Sequence, residues 1–109
     1  MNALSNDITE LKREISEFAV PLQTARQVRS ERFDAVIARI GSIARRLQGS
    51  DSLPRDLLNE IYFFAQLLRN EARQSDALSP LADRVEFLFG LLLKGELPED
   101  RVPGRPRII

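Results

Sequence analysis

The sequence contains no cysteine, no histidine and no tryptophan, and only one tyrosine and one methionine. Without cysteine, a disulfide or a thiolate metal site is excluded, and without histidine so are an imidazole ligand and a Ser-His-Asp triad. The usual di-iron site of a helical bundle is excluded as well, because its ligand set includes histidine. The composition therefore predicts no metal site and no cofactor.

Long apolar runs and an excess of charge of one sign are also missing. The longest apolar stretch, residues 87–93, contains Gly90 and falls far short of the roughly 20 residues that a membrane span requires. Sixteen basic and sixteen acidic residues give a formal net charge of zero. The first residues lack the basic segment and apolar run of a signal peptide, so we expect a cytoplasmic protein that does not associate with membranes.

The apolar residues that are present recur with helical spacing. Hydrophobic residues make up 43% of the 109-residue chain and charged residues 29%, a composition typical of one soluble domain. No segment alternates with the period of a strand over a useful length. The predicted helices cover approximately residues 4–20, 22 or 31–48, 54–74 and 80–94. The predicted fold is all-α, an antiparallel four-helix bundle formed by residues 1–95.

Two segments are less regular. Pro21 is predicted to end or kink the first helix, and residues 22–32 either extend the second helix backwards or contain a break near Ser30, a suitable N-cap. The sequence leaves both alternatives open. After Gly95, three prolines and Gly104 predict an extended C-terminal tail over residues 96–109. Its arginines and final isoleucines could contact a partner or the bundle, although a tail without fixed contacts is the favoured interpretation.

Charged residues form one stripe on each of the first two helices. The first helix carries four acidic residues on one flank of its apolar stripe: Asp7, Glu10, Glu14 and Glu17. A metal site or an acid/base pair in a bundle needs carboxylates that point inward, which these do not. The second helix carries Arg32, Arg39 and Arg46, seven residues apart, on the corresponding flank. We therefore predict ion pairs between the two helices, which favour one register and add little stability.

The arginines also allow an alternative function. Residues 21–50 contain six arginines against two acidic residues, a local charge of +4. A basic patch of this kind is what nucleic-acid binding requires, because neutralisation of phosphates supplies most of the affinity. The candidate contacts are Arg26, Arg29, Arg32, Arg39 and Arg46. No recognition-helix signature accompanies them, so binding of nucleic acid is the alternative to the function considered next.

The third and fourth predicted helices are apolar on nearly all sides. Four residues fall away from their core-facing stripes, Phe63, Leu67, Phe87 and Leu91, and Tyr62 beside Phe63 suits the rim of an interface. A second apolar face has to be buried by another part of the chain, by a second copy in a homodimer, or by a different protein. No spacing of residues indicates a nucleophile or an acid/base pair. The sequence therefore predicts a non-enzymatic adaptor, regulator, or immunity- or chaperone-type protein that acts through protein–protein contacts at these five residues.

Overall fold

The computed structural model describes residues 3–100, which form four α-helices and two short 3₁₀ turns and contain no strand. The helices are α1 (Ala3–Ala25), α2 (Ser30–Arg46), α3 (Arg55–Glu71) and α4 (Ser79–Lys94). The 3₁₀ turns cover Asp76–Leu78 and Pro98–Asp100. The predicted all-α fold is confirmed, and the bounds of α2, α3 and α4 agree with the prediction to within three residues. None of the helices within residues 3–100 is long and apolar enough to cross a membrane.

The helices pack as two antiparallel hairpins. In the first hairpin α1 contacts α2, in the second α3 contacts α4, and the hairpins meet where α1 contacts α3 and α2 contacts α4. Two ion pairs join the hairpins at opposite ends of the bundle. Arg26, just after α1, pairs with Glu71 at the end of α3, and Arg45 near the end of α2 pairs with Glu99 beyond α4. Each helix contacts two other helices, and these contacts determine how much of its surface is buried.

The core of the bundle is entirely apolar, with no polar or charged side chain buried among residues 3–99. Its centre is a cluster of three phenylalanines, Phe18, Phe33 and Phe64, one each from α1, α2 and α3. The ring centroids lie 5.7 to 6.2 Å apart, and Phe18 meets Phe64 edge to face. Aromatic pairs favour such tilted geometry, so the cluster stabilises the junction of three helices beyond simple burial of area.

The segment between the first two helices contradicts one prediction and decides between two alternatives that the sequence left open. Helix α1 continues through Pro21 to Ala25, so the prediction that Pro21 ends the helix is wrong. The side chain of Leu22 is fully buried, and its burial offsets the hydrogen bond that Pro21 cannot donate. Arg26 ends the helix in a left-handed conformation with φ of 55°. Helix α2 then begins at Ser30, so the alternative with a break near this residue is correct, although the N-cap is Arg29 and not Ser30.

The first residues of the predicted tail also differ from an extended chain. Leu97 is buried, and the turn at Pro98–Asp100 follows it directly. Because burial of Leu97 stabilises this contact, the chain folds back onto the bundle instead of leaving it at Gly95. The rest of the predicted tail, residues 101–109, lies outside the described residues.

Gly95 ends α4, and substitution there is expected to be destabilising. Its φ is 73°, its N–H donates to the carbonyl of Leu92 at 3.1 Å, and the next N–H donates to the carbonyl of Leu91 at 2.9 Å. We expect Gly95→Ala to lower the free energy of unfolding by about 1 to 2 kcal/mol, because alanine disfavours left-handed backbone. Urea denaturation followed by circular dichroism measures this loss.

Gly90, inside α4, provides the matched control. An added Cβ would meet nothing within 4 Å at either glycine, so the two substitutions differ in backbone conformation and not in packing. We expect Gly90→Ala to raise the free energy of unfolding by roughly 0.5 to 1 kcal/mol, the difference in helix propensity. Destabilisation by both substitutions would contradict this assignment of the end of α4.

Candidate protein-binding surface

The acidic and basic stripes meet along the contact between α1 and α2, where they form what we call the ion-pair seam. Arginine side chains of α2 donate to carboxylates of α1 in four hydrogen bonds: Arg39 to Glu14 (2.8 Å), Arg39 to Asp7 (3.2 Å), Arg46 to Asp7 (3.0 Å) and Arg32 to Glu17 (3.0 Å). The predicted pairing of the stripes is confirmed for three of the four acids. Glu10 differs, because it pairs with Arg13 of its own helix at 2.6 Å.

Arg39 is the centre of the ion-pair seam. Its two carboxylate partners, Asp7 and Glu14, are largely shielded from solvent. The hydrogen bond to Glu14 raises the pKa of Arg39, whereas partial burial acts in the opposite direction. The carboxylates accept from guanidinium groups and do not converge on a common point, and no acidic cluster suited to a metal ion occurs among residues 3–100. The seam therefore holds two helices in register.

The same contacts occupy most of the arginines that sequence analysis proposed for nucleic acid. Arg32, Arg39 and Arg46 belong to the ion-pair seam, and Arg26 pairs with Glu71. Arg29 is the exception, since among residues 3–99 its guanidinium donates only to the amide oxygen of Gln27, at 3.2 Å. A phosphate would have to displace an internal carboxylate at four of the five positions, so the contacts weaken the case for nucleic-acid binding.

The five apolar candidates divide into buried and exposed residues. Leu67 and Leu91 are only 9% and 3% exposed, so their predicted place on a binding surface is wrong. Helices α3 and α4 each contact two neighbouring helices. Each therefore buries a wider arc of its surface than a single apolar stripe covers. Tyr62 and Phe63 are both 56% exposed and Phe87 is 49% exposed, as the prediction required.

The three exposed aromatic residues do not form one surface. Tyr62 packs against Phe89 across the contact between α3 and α4, with ring centroids 6.4 Å apart. Phe87 lies beside α2 instead, on the opposite side of α4. Phe63 is about 100° further around α3 than Tyr62 and faces away from the contact with Phe89. The prediction of a single face shared by α3 and α4 is therefore wrong.

Phe87 borders an open groove between α2 and α4 with a volume of about 420 Å³, which we call the α2/α4 groove. Ile37 and Gly41 of α2 and Leu88 of α4 form its apolar part. Two exposed arginines also line it, one from each helix, Arg45 and Arg84. Sequence reasoning missed this groove, although Gly41 lies one helical turn after Ile37 and leaves a gap in the side of α2.

Comparison of the chain with known protein families, with curated proteins and with solved structures gave no match. Of the surfaces described above, the α2/α4 groove combines a concave shape, an exposed aromatic side chain and an excess of positive charge.

Proposed function

We propose that this protein is a non-enzymatic helical protein that binds another protein, with Phe87 in the α2/α4 groove at the centre of the binding surface. The observation that carries the proposal is that Phe87 is half exposed beside Ile37 and Leu88 in an apolar concavity. Aromatic side chains in concave apolar sites contribute a large share of binding energy at protein interfaces. Burial of Phe87 by a partner would remove this apolar surface from water.

The shape of the surface favours Phe87 over the other exposed aromatic residues. Tyr62 already has a ring partner in Phe89. Phe63 is exposed, but it is not part of the lining of the α2/α4 groove. Single exposed apolar residues are common on protein surfaces, whereas an apolar residue that lines a groove offers a partner two walls to contact.

The arrangement of the carboxylates supports binding over catalysis. A general acid or base usually has a pKa shifted by burial or by a charged neighbour, and it faces a cleft. In this protein Asp7, Glu14 and Glu17 are acceptors in the ion-pair seam. Their hydrogen bonds explain their positions without a substrate.

The absence of cysteine allows a site-specific test of the proposal. An Ala38→Cys variant, in the lining of the α2/α4 groove, carries a maleimide photo-crosslinker and is irradiated in an extract of the native source. A Gln66→Cys variant on the exposed surface of α3 is the control. We expect one protein to be captured at position 38 and not at position 66. That protein is then purified for direct binding measurements.

The decisive variant is Phe87→Asp, with Phe63→Asp as its matched control of similar exposure. We expect Phe87→Asp to weaken binding of the purified partner by at least about thirtyfold, the effect of losing a hot spot worth roughly 2 kcal/mol. Phe63→Asp leaves the affinity unchanged, and both variants keep wild-type helicity in circular dichroism. Equal affinities of the two variants, or unfolding caused by Phe87→Asp, would contradict the proposal.

A homodimer is the special case in which the partner is a second copy. Size-exclusion chromatography with light scattering across a tenfold dilution detects it, since twofold association is the commonest form of oligomer. If the wild type is a dimer and Phe87→Asp a monomer, Phe87 is the centre of a self-association surface. A dimer that survives Phe87→Asp uses another surface, which contradicts the proposed place of Phe87 in self-association.

A further inference from the structure

We propose that the α2/α4 groove selects acidic amphipathic helices. Its occupant is a helix of another protein that directs large apolar side chains towards Phe87 and carboxylates towards Arg45 and Arg84. This inference rests on the proposed function, because it names the partner chemistry of the same groove. It follows from the apolar base of the groove, from its charges and from the composition of the residues that follow Asp100.

The apolar base of the groove has room for inserted side chains. A Cβ added at Gly41 would meet nothing closer than the guanidinium end of Arg45 at 3.6 Å, so the surface of α2 is open at this point. Ile37 and Leu88 lie beside the opening and Phe87 forms its exposed wall. A helix that packs into a groove between two helices presents apolar residues with spacing i, i+3 or i+4, which suits this arrangement.

The charges along the groove are mainly positive. Arg84 is exposed and makes no hydrogen bond or ion pair with any residue from 3 to 99. Arg45 and Glu99 form an ion pair at 3.3 Å, and both side chains are at least half exposed. Among the described residues, Glu99 is the one acidic residue in the lining of the groove. The lining therefore carries an excess of one positive charge, which favours a partner with carboxylates over a basic partner.

The contact of Glu99 shows how a carboxylate binds at this place. Glu99 lies next to Pro98 at the edge of the groove, and its Oε1 accepts from the Nε of Arg45. Ion pairs between exposed side chains add little stability, so a partner carboxylate replaces Glu99 at little cost. Arg84 then supplies a second site for a carboxylate, with no contact to break among residues 3–99.

The charges of the groove disfavour one alternative occupant, residues 101–109 of the chain itself. Residues 101–109 contain three arginines and no acidic residue. Like charges brought together at Arg45 and Arg84 disfavour this segment as a ligand. An acidic segment from another protein has the complementary charge.

Selection from a phage-displayed library of helix-forming peptides tests the inference directly. The full chain is the target and Phe87→Asp the counter-target. We expect the enriched peptides to carry net negative charge together with apolar residues three or four positions apart. A fluorescent version of one enriched peptide and a version with each Glu replaced by Lys are then compared by anisotropy in low salt, where charge effects are least screened.

A charge reversal separates the role of Arg84 from a merely structural one. We expect Arg84→Glu to weaken binding of the acidic peptide by about tenfold or more and to strengthen binding of the Lys version. Arg73→Glu, the same change at an exposed residue between α3 and α4, leaves both affinities unchanged and serves as the control.

The outcomes distinguish this inference from the proposed function. Enrichment of neutral or basic peptides that depends on Phe87 overturns the preference for acidic partners and leaves the binding function intact. Absence of any enrichment that depends on Phe87 overturns both. If a single-stranded oligonucleotide or phosphatidylserine vesicles bind through Arg84 while no acidic peptide is enriched, the occupant is a different polyanion and the inference is overturned.

Discussion

Phe64→Ala is expected to lower the free energy of unfolding by about 3 to 5 kcal/mol, the largest change among the substitutions considered. Phe64 is completely buried and contacts the rings of both Phe18 and Phe33. Its truncation leaves a cavity where α1, α2 and α3 meet, and rigid helices relax only partly into such a space. Since small domains are stable by about 5 to 15 kcal/mol, the variant retains little margin. Urea denaturation followed by circular dichroism measures the loss.

The neighbouring residue Phe63 provides a control of identical chemistry. It is 56% exposed, and we expect Phe63→Ala to change the free energy of unfolding by less than about 1 kcal/mol. Because the two residues are adjacent in α3, the comparison reports which side of the helix faces the core. Similar losses for the two variants would show that the rotation of α3 about its axis is wrong.

Arg39→Glu is expected to lower the free energy of unfolding by about 1 to 3 kcal/mol. The substitution removes the shared partner of Asp7 and Glu14 and adds a third carboxylate between them. Since these acids are largely shielded from solvent, water only partly replaces the lost hydrogen bonds. We expect the loss to decrease as salt screens the repulsion, and urea denaturation at low and high ionic strength measures the difference.

Two controls accompany this variant. Glu14→Arg combined with Arg39→Glu restores an opposite-charge pair and is expected to recover part of the lost stability. Arg55→Glu, at the exposed start of α3, changes charge by the same amount without breaking a contact among residues 3–100, so its effect stays within about 0.5 kcal/mol. If Arg39→Glu is no more harmful than Arg55→Glu, the ion-pair seam does not stabilise the fold.

The charge of Arg39 contributes no pH dependence to the stability of the wild type near neutral pH. Its pKa is raised on folding by the hydrogen bond to Glu14. A group whose pKa is raised on folding contributes its full stabilisation at pH values below its pKa in the unfolded chain. This stabilisation is lost only as the pH rises through its pKa in the folded chain. For an arginine this range lies in strongly alkaline solution, so the guanidinium stays charged throughout denaturation at neutral pH.

The helices and the ion-pair seam could be predicted from sequence because both depend on local spacing. Apolar residues three or four positions apart define a helical stripe wherever the helix is placed. The heptad spacing of Arg32, Arg39 and Arg46 likewise fixes their side of α2 before any partner is known. The end of α1 depends instead on a distant contact. Whether α1 continues past Pro21 is decided by the burial of Leu22 in the core, which the local sequence does not contain.

The proposed binding surface was less predictable for the same reason. Leu67 and Leu91 lie off the main stripes of their helices, but each helix has a second neighbour that buries them. Which helices are neighbours cannot be deduced from the period of a single helix. The α2/α4 groove depends on that adjacency, and therefore neither Gly41 nor Arg84 could be connected with Phe87 from the sequence.

The position of the α2/α4 groove between the two hairpins has a thermodynamic consequence. Its walls come from helices far apart in sequence, so the site exists only while the hairpins are assembled. A ligand seated there binds the native chain and not the unfolded one, and linkage then raises the melting temperature as the ligand concentration exceeds its dissociation constant. Thermal denaturation of the unlabelled protein thus detects a ligand of the groove whatever the chemical identity of that ligand.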